Sequence, residues 1–236
     1  MNKGKLYLIP TILGEGTQEA TLPSPILKSI QEINVFIVEN LRTARRHIKK
    51  IYREKDIDAT TFYSYGKHDT LNLEQDFLPH ILSGENVGLL SEAGLPCVAD
   101  PGSKIVEYAH DFQIDVVPFV GPSSILLALM ASGMNGQNFA FNGYLPIEKV
   151  ERKSKMKQLE KRSFDENQSQ LFIETPYRNN SVLEDLYKTL NSDTKICVAC
   201  DLTLPTEYIK TQTAKQWKHS KLDFHKRPAI FIIHKY

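Results

Sequence analysis

Short β-branched runs alternate with stretches of helical period along almost the whole of this chain, and that alternation constrains its fold more than any other feature. Strands are expected at Lys5–Ile9, Val35–Val38, Thr61–Tyr65, Val87–Ser91 and Ile114–Val120, then at Phe139–Asn142, Gln170–Glu174, Lys195–Cys200 and Ala229–His234. Helical patterns fill the gaps at Leu41–Arg53, Leu71–Leu82, Ser103–His110, Ser123–Ser132, Val150–Arg162 and Asn180–Leu190. In the first of these, Leu41, Ala44, Ile48 and Ile51 share one face. Strand, helix, strand repeated this often predicts an α/β architecture with mainly parallel sheets. A chain of 236 residues divides naturally into two such units. The Gly121-Pro122-Ser123-Ser124 punctuation sets the seam, giving an N-terminal domain at 1–118 and a C-terminal domain at 119–236. The polar stretch Ser163–Ser169 reads as a surface loop.

Composition excludes several classes. The 29 Lys and Arg nearly balance the 28 Asp and Glu, and apolar residues make up 41%. The longest apolar stretch, Ile125–Gly133, falls far short of the ~20 residues that span a bilayer. Leu6–Leu13 is interrupted by Pro10 and reads as a buried strand entering a turn, not a secretory signal. Three cysteines make no disulfide framework, so the expected compartment is the reducing cytoplasm. Cys197 and Cys200 form a lone CxxC; within one strand their thiols face opposite ways, so no metal site is expected.

Ligands of open α/β sheets gather beyond the carboxyl ends of strands. Four turns there stand out: Pro10–Gly16, Glu39–Arg42, Ser91–Gly102 and Gly121–Ser124. None is a nucleotide fingerprint. There is no P-loop, and Gly14-Glu15-Gly16 lacks the third glycine of the dinucleotide motif.

In sequence, those turns resemble a known family. The run Ser-Glu-Ala-Gly-Leu-Pro-Cys-Val-Ala-Asp-Pro-Gly at 91–102, Val-Val-Pro-Phe-Val-Gly-Pro-Ser-Ser at 116–124 and Phe-Asn-Gly-Tyr-Leu-Pro at 141–146 carry the likeness. So do Phe-Ile-Glu-Thr-Pro-Tyr-Arg at 172–178 and Ala-Cys-Asp-Leu-Thr at 199–203. The chain is similar to the ribosomal RNA small subunit methyltransferase I family, within the tetrapyrrole (class III) methylase superfamily. The resemblance implies a homodimer of two-domain subunits, S-adenosylmethionine as cofactor in a cleft between the domains, and methyl transfer to the ribose 2′-hydroxyl of a cytidine in small-subunit ribosomal RNA. It implies cofactor contacts from Leu13, Gly14, Gly94, Leu95, Pro96, Val98, Ser123, Ser124, Ile125, Ile173, Ala199 and Ile230. The chain departs from the family pattern at Glu39-Asn40-Leu41-Arg42, where an amide follows the glutamate, and at Gly66–Thr70, where a histidine-rich segment is expected.

A ribose hydroxyl is a weak nucleophile, so a carboxylate near it can take its proton. Glu39, Asp100 and Glu174 are the candidates, with Arg42 as a phosphate clamp. Arg42 and Arg178 have a second reading, as ion-pair partners of Glu39 and Glu174. Two basic stripes, +6 between Arg42 and Lys55 and +5 between Lys149 and Arg162, suit an RNA partner. Two other readings stay open: methylation of a tetrapyrrole or other small molecule, and a non-catalytic RNA-binding or assembly protein of the same fold.

Overall fold

The computed structural model describes residues 3–66 and 71–236, and the chain divides into two compact units, 1–123 and 124–236. In the first unit, strands β1 (Leu6–Ile9), β2 (Val35–Val38), β3 (Thr61–Ser64), β4 (Val87–Leu90) and β5 (Val116–Pro118) form one sheet in the order β3-β2-β4-β1-β5. Every pairing in it is parallel, with Leu6 opposite both Val87 and Val116 and Val35 opposite Val87. Parallel strands need covered faces, and β2 and β4 are buried at every position.

Alternation sorts their side chains. Leu6, Val35, Ile37, Val87 and Leu89 pack on Phe77, Ile81, Ile105 and Ala109, from a π-turn at Leu73–Phe77, α4 (Leu78–Leu82) and α5 (Ser103–Asp111). Ile9, Phe36, Val38 and Leu90 pack on Ile26, Ile30, Ala44 and Ile48. Those come from α2 (Ser24–Glu32) and α3 (Leu41–Ile51), and a short α1 (Gln18–Thr21) precedes them.

The second unit is built differently. Strands β6 (Phe139–Tyr144), β7 (Ser169–Ile173), β8 (Lys195–Cys200), β9 (Tyr208–Thr213) and β10 (Ala229–His234) take the order β6-β7-β10-β8-β9. Only β6 and β7 are parallel; the pairs β7–β10, β10–β8 and β8–β9 are antiparallel, so this sheet is mixed. The reason lies in the connections. The return from β8 to β9 runs through a turn at 201–207 rather than a crossover helix, and a turn that short joins antiparallel neighbours. Phe172, Val198, Cys200 and Phe231 face one side, against α7 (Lys149–Glu166), α8 (Asn179–Thr189) and α9 (Ala214–Trp217). The opposite face carries α6 (Ser124–Ser132), whose last carbonyl accepts a 2.7 Å bond from Thr211 of β9.

The expected surface loop at Ser163–Ser169 is not one. Helix α7 continues to Glu166 and closes on Asn167, whose left-handed φ of 48° ends the helix; Gln168 and Ser169 are already buried. Cys197 and Cys200 lie on opposite faces of β8, both fully buried.

Candidate functional site

In the first unit, the carboxyl ends of β1, β4 and β2 emerge side by side, and the turns that follow them lock together. The Thr11 amide donates to the Gly94 carbonyl at 2.8 Å and the Gly94 amide to the Thr11 carbonyl at 3.2 Å. Gly94 has φ +77°, and a Cβ there would meet Leu13 at 3.2 Å and the Pro122 carbonyl at 3.3 Å. A Cβ on Gly121 would lie 2.2 Å from the Pro10 side chain. The first, third and fourth turns are thus in contact, bringing together Leu13, Gly94 and Leu95 of the expected set. Gly14 accepts at its carbonyl from the Thr17 hydroxyl at 2.8 Å, which closes the first turn.

Backbone strain concentrates in the third turn. Gly94, Cys97, Ala99 and Gly102 all have positive φ, two of them without the freedom of glycine. Residues held this way persist only where the surroundings over-determine them, and they cluster at ligand sites. Between Cys97 and Ala99, Val98 is left 46% exposed, while Pro96 is buried.

Three carboxylates gather at the same end. Glu39 follows β2, and the Glu92 backbone amide bonds its carboxylate; burial first, then the Asp100 and Glu92 charges, raise its pKa. Burial and then Glu92 raise that of Asp100. Burial and the surrounding acids hold the Tyr65 phenol protonated, and its hydroxyl donates to the Pro101 carbonyl at 3.2 Å. The departure at Asn40 has a structural job. Its side-chain oxygen accepts from the Arg42 and Thr43 amides at 3.0 and 3.2 Å, capping α3. Arg42 is exposed in the first turn of that helix and forms no ion pair with Glu39. Residues 67–70 of the other departing segment lie outside the described residues.

In the second unit, Ile173, Ile230 and Ala199 stand side by side across β7, β10 and β8, at matching register. They lie on the face that carries α6, where Ile125 is buried and Ser124 begins the helix. Glu174, at the end of β7, is 5% exposed. Burial raises its pKa, and the neighbouring Arg178 partly offsets this. Arg178 Nη2 lies 3.3 Å from Glu174 Oε1, close enough for an ion pair but without hydrogen-bond alignment. Asp201 (φ 50°) and Thr203 (φ 72°) repeat the strain of the third turn beside Ala199.

The basic stripes are thinner than their count. Lys55 is buried, its ammonium donating to Ile33 and Gln31 carbonyls and to Asn34, and Lys50 pairs with Glu15. On α7, Arg152 is buried against Asp185 at 2.6 Å, with Lys149 and Lys153 near the same carboxylate; Lys161 pairs with Asp165 and Arg162 with Glu166. Sequence spacing marks charges but not the acids from other elements that meet them.

In each of the two α/β units, the strained turns or the apolar strand row fall on the segments that carry the family resemblance. The family described as Tetrapyrrole (Corrin/Porphyrin) Methylases matches residues 27–217, and this chain belongs to it; it is a methyltransferase. Among its relatives, the ribosomal RNA small subunit methyltransferase I of Vibrio cholerae is 29% identical over 98% of this chain and 77% of its own length. The protein of that name from Bacillus subtilis is 32% identical over 85% of this chain and 64% of its own length. That from Thermotoga maritima is 28% identical over 92% and 91%. The crystal structure of the methyltransferase CobJ superposes with a TM-score of 0.63 over 98% of this chain and 94% of its own, at 15% identity, which speaks for the fold alone. No helix among the described residues is long and apolar enough to cross a membrane.

Proposed function

We propose that this protein transfers a methyl group from S-adenosylmethionine to small-subunit ribosomal RNA, at the ribose 2′-hydroxyl of a cytidine, acting as a homodimer in the cytoplasm. The third turn carries the reading: its backbone is left-handed at Cys97 and Ala99, with Gly94 close against Leu13, and strain of this kind clusters at ligand sites. In the first unit that turn fits a polar group that needs backbone partners, and in the second the apolar row of Ile173, Ile230 and Ala199 fits a flat ring. Leu13, Gly14, Gly94, Leu95, Pro96, Val98, Ser123, Ser124 and Ile125 complete the proposed set of contacts. The cofactor, when bound, supplies an electrophilic methyl group on a sulfonium centre.

The remaining work belongs to the protein. Alignment of nucleophile and methyl group is worth ~7–11 kcal/mol at best, so rigid turns serve the reaction better than flexible ones. Burial raises the pKa of Glu39, Asp100 and Glu174 alike, which makes each a better proton acceptor when ionised. Glu174 is proposed as a base with Arg178 steadying it, and Arg42, exposed beside the acids, as the phosphate contact. That its relatives are ribosomal RNA small subunit methyltransferases supports ribosomal RNA as substrate.

Mass mapping of ribosomal RNA methylation in cells with and without this gene tests the proposal. One 2′-O-methylated cytidine should disappear with the gene. Unchanged small-subunit RNA, with methylation of a tetrapyrrole by the purified protein, would replace it.

A further inference from the structure

The first unit contains a cavity of about 120 Å³ that the proposed chemistry leaves unused, between the first turn, α3 and the start of the third turn. Thr11, Ser91 and His47 line it, and the Thr11 hydroxyl, the Ser91 hydroxyl and the His47 Nε2 are buried without a hydrogen-bond partner among the described residues. Thr11 is 3% exposed and Ser91 6%. A buried polar group left unpaired is costly, so two hydroxyls and an imidazole around one hollow point to a ligand that satisfies them together.

The charges decide what kind. Glu15 and Glu92 line the cavity against Arg46 and Lys50, so the lining has no net positive charge to favour a phosphate, and Lys50 is already paired with Glu15. Burial brings the pKa of His47 down to about 4, so its ring is neutral near pH 7. Glu92 accepts from Thr43 at 2.5 Å through one carboxylate oxygen. What remains is a set of hydroxyls and a neutral imidazole beside the Glu92 carboxylate and the Arg46 guanidinium, able both to donate and to accept. Several waters' worth of space, at ~30 Å³ each in the liquid, also admits one planar heterocycle.

We infer that this cavity takes a nucleobase of the RNA substrate, its edge bonded by Thr11, Ser91 and His47 and an amino group directed at Glu92. The inference rests on the RNA reading above. Bases unstacked from RNA are read in this way, through hydrogen bonds along their edges.

The test is an amide chemical-shift titration of the full-length protein with cytidine and adenosine, and separately with inorganic phosphate. Saturable shifts confined to the turn at Thr11, the start of the third turn and His47 are expected with a nucleoside and absent with phosphate. Thr11→Val keeps the side-chain shape, and Ser91→Ala removes a hydroxyl from the other wall. Each should weaken nucleoside binding about tenfold and raise the KM for RNA, leaving S-adenosylmethionine affinity unaltered. Shifts with phosphate alone, with neither probe, or elsewhere on the protein would overturn the inference. The two proposals fail separately. A nucleoside bound here by a protein that methylates no RNA would sink the methyl-transfer reading and, with it, the assignment of the base to an RNA substrate, while the nucleobase pocket itself would stand. Normal RNA methylation with wild-type KM in both variants would sink only the pocket.

Discussion

The two units answer one problem, burying a five-stranded sheet, in opposite ways. The first uses only parallel strands, so its chain must pass across a face between strands and deliver a loop at each carboxyl end. Those loops are where its carboxylates, strained residues and cavity collect. The second spends three of its four pairings on antiparallel neighbours, and its contribution is an apolar row plus the buried Glu174 at the end of β7. Polar chemistry is concentrated where crossover connections end. Packing surface is concentrated where the strands pair antiparallel.

The largest effect should come from the second unit's buried ion pair. Arg152→Met strands Asp185, whose side chain is 4% exposed, and should cost ~3–5 kcal/mol in urea unfolding. A loss under ~1 kcal/mol would mean that Lys149 and Lys153 compensate and that this core is as adaptable as a surface. Next comes the first unit's closest backbone approach. Gly121→Ala drives a methyl group into Pro10, and ~1–3 kcal/mol of destabilisation should accompany weaker cofactor binding. Stability lost with affinity intact would separate the turns from the cofactor.

A smaller contrast concerns RNA. Arg42 and Arg53 on the first unit are exposed, whereas most α7 cations already face acids. Reversing both arginines to glutamate should weaken RNA binding roughly tenfold and flatten its salt dependence. Lys155→Glu with Lys157→Glu should do less, and equal losses would erase the distinction. The smallest effect is electrostatic. The Glu174 pKa is raised in the folded state, so the native protein holds this proton more tightly than the unfolded chain, and stability falls as pH rises from ~4.5 through the folded pKa. Glu174→Gln should therefore be the more stable protein at pH 7 and lose that advantage in acid, by thermal melts across pH. An advantage that persists in acid would remove the carboxylate from the explanation.

Apolar strands were legible because each is a dense β-branched run: Val35–Val38, Lys195–Cys200 and Ala229–His234 fall at the expected bounds. Tyr208–Thr213 was not, since an edge strand reading Tyr-Ile-Lys-Thr-Gln-Thr carries little hydrophobic signal. Helix α2 shows in the sequence only as Pro25 in its first turn and Ile26 with Ile30 four apart, too short a pattern to stand out. At the site, sequence order identified the turns, but not their mutual contact. Nothing in the spacing of Thr11, His47 and Ser91 announces a shared hollow, because three separate elements bring them there. Charge counting failed for the same reason at Lys55 and Arg152, whose partners are remote in sequence.

Titration calorimetry with S-adenosylmethionine is the most direct check on the claim that turn geometry and strand row serve one methyl donor. Wild-type protein should bind with measurable heat, while Gly94→Val in the first unit and Ile230→Arg in the second should each abolish that heat in a folded protein. Undiminished binding in either variant, or none in the wild type, would contradict it.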